Sequence, residues 1–359
     1  MSPSLRFPEF TGEWKNTTLE ECVDFLDGQR KPIKSDDRKG EKRLYPYYGA
    51  SGIIDYIDEY IFDGDYILLS EDGANIIDRN YRVAFIANGK IWVNNHAHVL
   101  QPHKEMNINF LSEALERINY AIYNTGTTMP KLNQEICRKI NLNVPSLSEQ
   151  NKIGNLLYLL NERIATQNRL IEKLQSLIGG IAQHCIKEAI SGSMCIKLGD
   201  ICKITTGKLD ANAQVDNGLY PFFTCAEQPF KIDNFAFDTE ALLISGNGAN
   251  LGYVNYYNGK FNAYQRTYVL DAFSENIQYI KLALKVLLPK RIAIEKSSSN
   301  TPYIVLSTLS DLRLPIPSKG NQCHMAELMQ SLERKLSNQI ALKSSYNMLK
   351  QYLLRQMFI

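Results

Sequence analysis

The sequence contains one long segment twice, and this duplication limits the folds that the chain can adopt. Residues 45–75 align with residues 220–250 at a constant offset of 175, with 11 identities in 31 positions. Further along, residues 88–90 match residues 258–260 at an offset of 170. A repeat of this length corresponds to a whole domain rather than to a solenoid unit. The sequence therefore predicts one domain fold in two copies, with small insertions and deletions in loops.

Size and composition are those of an ordinary globular protein. The 359 residues leave room for two or three domains with their own cores, and the chain is 44% apolar and 22% charged. No secretory signal and no bilayer-spanning apolar run are recognisable. The seven cysteines show no paired spacing, which indicates reduced thiols and a cytoplasmic protein. The net charge of +2 neither requires nor excludes a nucleic-acid partner.

Each half begins with a strand-rich part. Short apolar or alternating runs are separated by Gly, Asn and Asp residues, and Asn88-Gly89 is typical of a hairpin turn. The strands predicted in the first half are Tyr56–Phe62, Tyr66–Ser70, Arg82–Ala87, Lys90–Val93 and His98–Leu100. A short helix is predicted after them at 110–123, with a counterpart at 277–288. The predicted fold class is α+β, with two duplicated domains of mixed α and β structure.

A long helix with a heptad pattern closes each half. Apolar residues recur at alternating steps of four and three, which is the seam of a coiled coil, and Lys343 and Lys350 interrupt the second copy. The residues predicted to pair along the seams are Ile153, Leu157, Leu160, Ile164, Gln167, Ile171, Leu174, Leu332, Leu336, Gln339, Tyr346 and Leu353. The predicted organisation is a first domain at 1–145, a spacer helix at 146–190, a second domain at 191–317 and a second spacer helix at 318–359.

Two matched helices in one chain are expected to bury each other's seams. A two-fold relation between the halves would make such a pair antiparallel. Gln167 and Gln339, near the helix midpoints, are then expected to cross and to form a hydrogen bond that fixes the register. The alternative is that each helix pairs with another chain in a homodimeric coiled coil.

Four motifs occur in an order that is typical of one protein family. Residues 5–14 (LRFPEFTGEW) are similar to the opening of many of its members, and residues 142–153 (LNVPSLSEQNKI) are similar to the start of its central helix. Residues 125–132 (TGTTMPKL) and 298–304 (SSNTPYI) resemble the loop that precedes this strand and helix. In the second half, the helix start reads KGNQ and keeps only the Gln of LSEQ. Together with the duplication, these motifs resemble type I restriction–modification DNA specificity (S) subunits over essentially the whole chain.

The resemblance implies that each strand-rich domain recognises one half of a split DNA site. It also implies that the helices set the gap between the half-sites and dock two modification (methyltransferase) subunits. Those partners would bind S-adenosylmethionine and methylate adenine, and restriction/translocase subunits that use ATP and Mg²⁺ would complete the assembly. The chain itself would bind double-stranded DNA, hold no cofactor or metal, carry no catalytic residue and contact no membrane.

The residues give little support to a catalytic role. No Pro-Pro of an amino-methyltransferase motif and no Walker A loop occur, and the glycines at 246–252 miss the spacing of a dinucleotide loop. His96-Ala97-His98 offers two metal ligands without a third nearby, so packing or DNA contact is expected instead. Glu333-Arg334-Lys335 fits a loose nuclease pattern, but a solvated helix face is the expected role. A fused or stand-alone methyltransferase or endonuclease component remains an alternative function.

A basic segment favours DNA binding. Residues 29–43 carry seven Lys or Arg and three Asp or Glu, and a tyrosine cluster follows at 45–48. Such side chains can neutralise phosphates, although a mobile charged loop is an equally ordinary interpretation. The aligned residues 208–219 are slightly acidic, as expected if the two domains read unlike half-sites. A coiled-coil adaptor without DNA readout is the second alternative function.

Base contacts are expected where the two copies diverge in polar side chains. In the first half the candidates are Arg30, Lys31, Lys42, Arg43, Asn95, His96, Thr127, Thr128 and Lys131. In the second half they are Lys208, Gln265, Arg266, Ser299, Asn300 and Tyr303. Arg266 is the best candidate for guanine, because Arg pairs with both O6 and N7, and a structural salt bridge is its competing role.

Overall fold

The chain forms two compact units in the computed structural model, which describes residues 3–38, 42–296 and 303–358. Unit 1 comprises Met1–Asn168 and Ala341–Ile359, and unit 2 comprises Arg169–Ile340. Both boundaries fall inside long helices. Each of these helices therefore contributes residues to both units.

Unit 1 is built around a sheet. Its strands are β1 (Lys15–Thr18), β2 (Val23–Phe25), β3 (Tyr45–Gly49), β4 (Gly52–Ile57), β5 (Phe62–Ser70), β6 (Ala84–Val93), β7 (Ala97–Pro102) and β8 (Asn141–Val144). Its helices are α1 (Asn75–Asp78), α2 (Ile108–Glu116), α3 (Gln134–Arg138) and the first part of α4 (Leu147–Gly192). Single 3-10 turns occur at Leu19–Glu21, Asp27–Gln29, Ser35–Asp37 and Tyr120–Tyr123.

Unit 2 contains the corresponding elements. Its strands are β9 (Met194–Lys197), β10 (Lys203–Thr206), β11 (Tyr220–Phe223), β12 (Phe230–Ile232), β13 (Phe237–Ser245), β14 (Val254–Ala263), β15 (Thr267–Asp271) and β16 (Arg313–Ile316). Its helices are the last part of α4, α5 (Leu198–Ile201), α6 (Ile277–Lys296), α7 (Leu306–Ser310) and the first part of α8 (Lys319–Met357), with a 3-10 turn at Ala211–Ala213. The last part of α8 belongs to unit 1.

The two units share one sheet topology. The strand order is β2-β7-β5-β6-β3-β4 in unit 1 and β10-β15-β13-β14-β11-β12 in unit 2. Neighbouring strands are antiparallel except β3 with β6 and β11 with β14, which are parallel. A two-stranded sheet, β1 with β8 or β9 with β16, completes each unit. The duplicated α+β fold predicted from the sequence is confirmed.

The central strand of each sheet is buried on both faces. In β5, Ile67 and Leu69 pack in the core beneath the helices, whereas Leu68 packs in a second core on the opposite face. In β13, Leu242 packs beneath the helices and Leu243 packs on the other face. Successive side chains of a strand point to opposite faces, so two cores require a continuous apolar run rather than alternation.

Three local predictions are wrong, and one of them is the helix at 110–123, because α2 ends at Glu116 and a separate 3-10 turn follows at Tyr120–Tyr123. The pattern at 56–62 predicts a strand, but β4 ends at Ile57 and β5 begins at Phe62, with an exposed turn between these two buried residues. Asn88-Gly89 predicts a hairpin turn, but it lies inside β6. Gly89 has a φ of 74° and pairs with Gly64, whose φ is 152°. Two glycines opposite each other absorb the irregular backbone without ending either strand.

The two long helices pack against each other within unit 1. The first part of α4 contributes Ile153, Leu157, Leu160 and Ile164 to its core, and the last part of α8 contributes Tyr346 and Leu353. Lys350 of α8 reaches Glu113, which also binds Asn161 of α4, and Leu5 N–H donates to the Gln356 carbonyl beside the start of α4. Residue numbers that rise along one helix fall along the other, which makes the pair antiparallel in this unit.

The other predicted seam residues are placed as follows. Leu332 packs against the core of unit 2, Ile171 and Leu174 are buried, and Leu336 is half-buried. Gln167 is buried in unit 1 and Gln339 is half-buried in unit 2. The hydrogen bond between these two amides stays a prediction.

A buried glutamine begins each long helix in the same way. In unit 1, Gln150 Oε1 accepts from the Asn107 N–H (2.9 Å) and Nε2 donates to the Pro145 carbonyl (3.0 Å). In unit 2, Gln322 Oε1 accepts from the Asn276 N–H (3.0 Å) and Nε2 donates to the carbonyl of the proline before α8 (2.9 Å). This shared clamp explains why the second helix start keeps the Gln of its motif.

The N-terminal motif also has a structural role. Arg6 donates to both oxygens of Glu149 at 2.7 Å, and the indole N–H of Trp14 donates to the same carboxylate at 3.4 Å. The Trp14 ring packs edge-on against Phe110 and Phe358. In unit 2, the position equivalent to Glu149 is Asn321. The Glu of the LSEQ motif is therefore present in unit 1, where it binds the N-terminal segment, and absent at the equivalent position of unit 2.

Covalent and membrane features are simple. None of the seven cysteines forms a disulfide. Among the helices of the described residues, none has the length and apolarity that a bilayer crossing requires.

Candidate nucleic-acid interface

Loops of unit 1 meet at one end of its sheet, and we call residues 26–31, 71–74, 94–96 and 124–131 the loop edge of unit 1. Glu71 N–H donates to the His96 carbonyl at 2.9 Å, and Gly73 N–H donates to the Pro130 carbonyl at 3.0 Å. Arg30 Nη1 donates to the Ala97 carbonyl at 2.8 Å, which ties the first of these segments to the others. The loops follow paired strands, so the sheet itself brings them together.

Most of the DNA-binding candidates of the first half lie on this loop edge. Those with exposed side chains are Lys31, Asn95, His96, Thr127, Thr128 and Lys131. Asn124 shapes the longest loop, because its Oδ1 accepts from the N–H groups of Gly126 (2.9 Å) and Lys131 (2.8 Å). The two threonines are left at the tip of that loop, where they are free of the sheet.

Arg30, another candidate, is held in a charged network beneath the exposed side chains of the loop edge. Its Nη1 lies 2.7 Å from Glu71 Oε2, and Nη2 lies 3.5 Å from Asp27. His98 joins the network, with Nδ1 2.6 Å from Asp27 and Nε2 2.9 Å from the Leu132 carbonyl. Two cations thus face two carboxylates, and the Arg30 guanidinium already has structural partners. The sequence shows its charge but not these partners.

The environment of His98 favours its protonated form. Burial opposes the positive charge, but the interactions with Asp27 and Cys137 together outweigh it and raise the pKa of His98 to about 10. Burial likewise opposes the charge of Asp27, and the His98 contact brings its pKa below the usual value. Both ring nitrogens face acceptors, which only an imidazolium can satisfy with two N–H groups.

Unit 1 is expected to lose stability as the pH rises from about 6.5 to about 10. In this window the unfolded chain has released the His98 proton while the folded unit retains it, so unfolding becomes easier by up to about 1.4 kcal/mol per pH unit. Both tryptophans, Trp14 and Trp92, lie in unit 1, so urea unfolding followed by tryptophan fluorescence reports on this unit. The variant His98→Gln should show a shallower pH dependence, and equal slopes would contradict the assignment.

Two carboxylates also hold exposed candidates of the loop edge. His96 Nδ1 lies 2.9 Å from both oxygens of Asp72. Lys131 Nζ lies 3.4 Å from Glu71 Oε1. Asp72 and Glu71 are not among the candidates predicted from the sequence, because no local pattern links them to His96 and Lys131, which lie far away along the chain.

Lys42 and Arg43 lie away from the loop edge. Their backbone N–H groups donate to Asp58 Oδ1 at 3.0 and 2.6 Å, just beyond the end of β4. Asn94, on the loop edge, instead donates to the Tyr48 carbonyl (3.1 Å) near the turn between β3 and β4. The structure therefore places these two candidates at the opposite end of this hairpin from the other exposed ones.

Unit 2 has an equivalent loop edge, formed by residues 207–210, 246–250, 264–266 and 303–304. Gly246 N–H donates to the Arg266 carbonyl and Ile304 N–H donates to the Gly246 carbonyl, both at 2.8 Å. Gln265 N–H donates to the Leu209 carbonyl at 2.9 Å. The exposed candidates on this edge are Lys208, Gln265, Arg266 and Tyr303. Ser299 and Asn300 lie outside the described residues.

The two loop edges correspond position by position. Isolated bridges join Asp72 with Lys131 in unit 1 and Asn247 with Tyr303 in unit 2. The Tyr268 hydroxyl donates to the Ile304 carbonyl at 2.9 Å, in the place of the His98 contact. The backbone framework is thus repeated while the polar side chains on it differ.

The other motifs have structural roles. The glycines at 246–252 form the turn between β13 and β14. Glu333 is paired with Lys281 (3.0 Å) and Lys285 (2.7 Å) of α6 rather than solvated alone. Within the described residues, no group of three His, Cys, Asp or Glu side chains is placed to hold a metal ion.

Comparison with known proteins agrees with this architecture. The family model of the type I restriction modification DNA specificity domain matches residues 11–176 and 191–343. The EcoDI type I restriction enzyme specificity subunit of Escherichia coli is 41% identical over 137 residues, which are 38% of this chain and 30% of that protein. The MjaVIII specificity subunit of Methanocaldococcus jannaschii is 23% identical over 381 aligned positions, covering 92% of this chain and 87% of that protein.

A solved structure has the same fold. The S subunit of a type I restriction–modification system from M. genitalium superposes with a TM-score of 0.78 at 19% identity, covering 100% of this chain and 99% of that one. The chain spans about a third of the length of the EcoDI subunit and of a Haemophilus influenzae relative in the matched regions.

Proposed function

The chain belongs to the family of type I restriction modification DNA specificity domains, and on that premise we propose that it is the DNA sequence-specificity subunit of a type I restriction–modification complex. Each unit binds one half of a bipartite site in double-stranded DNA through its loop edge. Phosphate contacts by lysines such as Lys31, Lys131 and Lys208 position each unit, and neighbouring polar side chains read base edges.

One observation carries this proposal. The two loop edges share a backbone framework, yet unit 1 presents Asn95, His96 and Lys131 where unit 2 presents Gln265, Arg266 and Tyr303. Asn95 and Gln265 both carry an amide, but the other two pairs exchange an imidazole for a guanidinium and an ammonium for a phenol, which a purely structural surface does not require. Two readers of different half-sites must differ there, because each base pair shows its own pattern of donors and acceptors.

The long helices serve as the spacer in this proposal. α4 and α8 each contribute residues to the cores of both units, so these two helices connect the units. Their exposed faces and the helix starts dock two modification subunits, and restriction/translocase subunits join that core. The full assembly acts on DNA in the cytoplasm.

Insertion of four residues in each helix is expected to change the gap between the half-sites while both half-site sequences stay the same. Insertions between Asn168 and Arg169 and between Ile340 and Ala341 would lengthen the helices at the boundaries between the two units. Selection from a random DNA library would reveal the new gap. The control is a variant in which the residues beside each insertion point are substituted and none is added, so that the helix length stays the same. An unchanged gap in the insertion variant would refute the spacer role.

In this proposal the chain itself catalyses no reaction. S-adenosylmethionine, ATP and Mg²⁺ bind to partner subunits, and the purified chain should not retain S-adenosylmethionine in equilibrium dialysis. Retention of the cofactor would favour a fused methyltransferase instead.

Comparison of DNA methylation in the host with and without the gene tests the central proposal. A bipartite adenine-methylated motif should disappear on deletion and return on complementation. A chain that acts only as a coiled-coil adaptor would leave the motif unchanged. It would also show no salt-dependent gel shift, whereas phosphate contacts make DNA binding weaken steeply with salt.

A further inference from the structure

His96 and Arg266 occupy equivalent positions on equivalent turns. Each follows an exposed amide residue, Asn95 or Gln265, in the turn that joins β6 to β7 or β14 to β15. The carbonyl of each accepts from the residue that follows the central strand, at 2.9 Å from Glu71 and 2.8 Å from Gly246. The backbone is therefore anchored alike at both positions, and only the side chains differ.

The hydrogen-bonding sense of His96 is set by Asp72. An ionised carboxylate can only accept hydrogen bonds, so the Nδ1 that lies 2.9 Å from Asp72 must donate. In the neutral imidazole the other nitrogen, Nε2, is then an acceptor. The His96 side chain is 50% exposed, and within the described residues no hydrogen bond to Nε2 occurs. A neutral His96 therefore presents an acceptor on the outside of the loop edge.

Arg266 presents the opposite chemistry. A guanidinium has only donors, and the position equivalent to Asp72 is Asn247, which carries no charge to hold it. No ion pair to Arg266 is found in the part of the chain that the structure describes, and its side chain is exposed. The competing role of a structural salt bridge therefore has no partner among these residues.

We propose that positions 96 and 266 are equivalent specificity positions that read bases in opposite senses, with Asp72 as a positioning residue for His96. His96 Nε2 accepts from an exocyclic amino group, N6 of adenine or N4 of cytosine, in the first half-site. Arg266 donates to O6 and N7 of guanine in the second half-site. This inference rests on the proposed function and adds the base chemistry that each unit recognises.

Base analogues test the sense of each contact directly. Once the bipartite site is known, purine deoxyriboside replaces each adenine and 2-pyrimidinone deoxyriboside replaces each cytosine, which removes one amino group at a time. At one position of the first half-site this change should weaken binding by the intact assembly by about tenfold. The same change should cost the His96→Phe variant almost nothing. In the second half-site, 7-deazaguanine removes N7 and should weaken binding by the unchanged assembly at one guanine. The same replacement should cost the Arg266→Met variant almost nothing.

Variants of the loop edge separate positioning from folding. Asp72→Asn should reduce the amino-group dependence at the same position of the first half-site, with the second half-site unaffected. His96→Arg should move that position towards guanine. Coupling between one variant and one missing base group is a readout that a loss of stability does not produce.

The outcomes distinguish this inference from the function on which it rests. If the assembly binds its bipartite site but no amino deletion couples to His96, the inference is wrong and the function stands. Coupling of His96 to 7-deazaguanine would also overturn it, because the imidazole would then be a donor. An assembly that binds DNA without any sequence preference would contradict both the inference and the proposed function.

Discussion

Replacing Gln150 by leucine is expected to lower the free energy of unfolding of unit 1 by about 3 kcal/mol. The amide is 2% exposed and bonds to the Asn107 N–H, the Glu105 carbonyl and the Pro145 carbonyl, at distances of 2.9 to 3.2 Å. Leucine fills a similar space but leaves these backbone groups without a partner. An unsatisfied buried polar group costs about 1–3 kcal/mol, which makes the loss larger than that of an ordinary surface hydrogen bond.

The neighbouring residue provides a matched control. Asn151 is exposed in the same turn of α4 and bonds to the Asn107 side chain at 2.8 Å. Asn151→Leu should therefore change stability by less than about 1 kcal/mol. Urea unfolding followed by tryptophan fluorescence measures both variants in unit 1. Equal effects of the two substitutions would show that burial of the Gln150 amide is not what stabilises the helix start.

The repeated framework could be predicted from the sequence because it depends on local patterns. β5 and β13 begin 175 residues apart, at Phe62 and Phe237, which is the offset of the aligned repeat. α4 and α8 begin and end close to the ends of their heptad patterns. Periodicity and turn residues act within a few residues, so one sequence carries them without an alignment.

The network beneath the loop edge could not be predicted in the same way. The charge of Arg30 predicts a DNA contact, but its partner Glu71 is 41 residues away along the chain. Asp72 and His96 are separated by 24 residues and meet only because β5 and β7 are adjacent in the sheet. A charge count finds basic side chains, whereas only the fold shows which of them already have a carboxylate partner.

A charged cluster in unit 1 explains why a lysine interrupts the seam of the second helix. Glu113 of α2 is 3% exposed, and its Oε1 accepts from Arg82 (2.7 Å), Asn161 (2.9 Å) and Lys350 (3.2 Å). Burial opposes the negative charge, but Arg82 and Lys350 bring the pKa of Glu113 below its ordinary value. The positions equivalent to Glu113 and Lys350 in unit 2 are Leu282 and Ile178, which belong to one hydrophobic core.

Glu113→Leu alone is expected to lower the free energy of unfolding of unit 1 by about 3–5 kcal/mol, because it leaves Arg82 and Lys350 as facing cations in a largely buried site. Lys350→Ile alone should cost less, since Glu113 keeps Arg82 and Asn161. The double variant Glu113→Leu/Lys350→Ile installs the apolar pair of unit 2 and should recover about 2 kcal/mol of the loss caused by Glu113→Leu. A double-mutant cycle measured by urea unfolding with tryptophan fluorescence gives this coupling.

The sign of that coupling decides what the lysine does. If the double variant is more stable than Glu113→Leu, Lys350 is tolerated on the seam because it neutralises Glu113. Unit 1 then has an ion pair where unit 2 has an apolar contact. Additive losses would mean that Lys350 and Glu113 act independently despite their contact at 3.2 Å. In the first case, the last part of α8 carries a charge that matches only unit 1, because the equivalent site in unit 2 is lined by leucine and isoleucine. The buried pair would then direct each helix end to its own unit, which a duplicated fold needs because its two helices are otherwise similar.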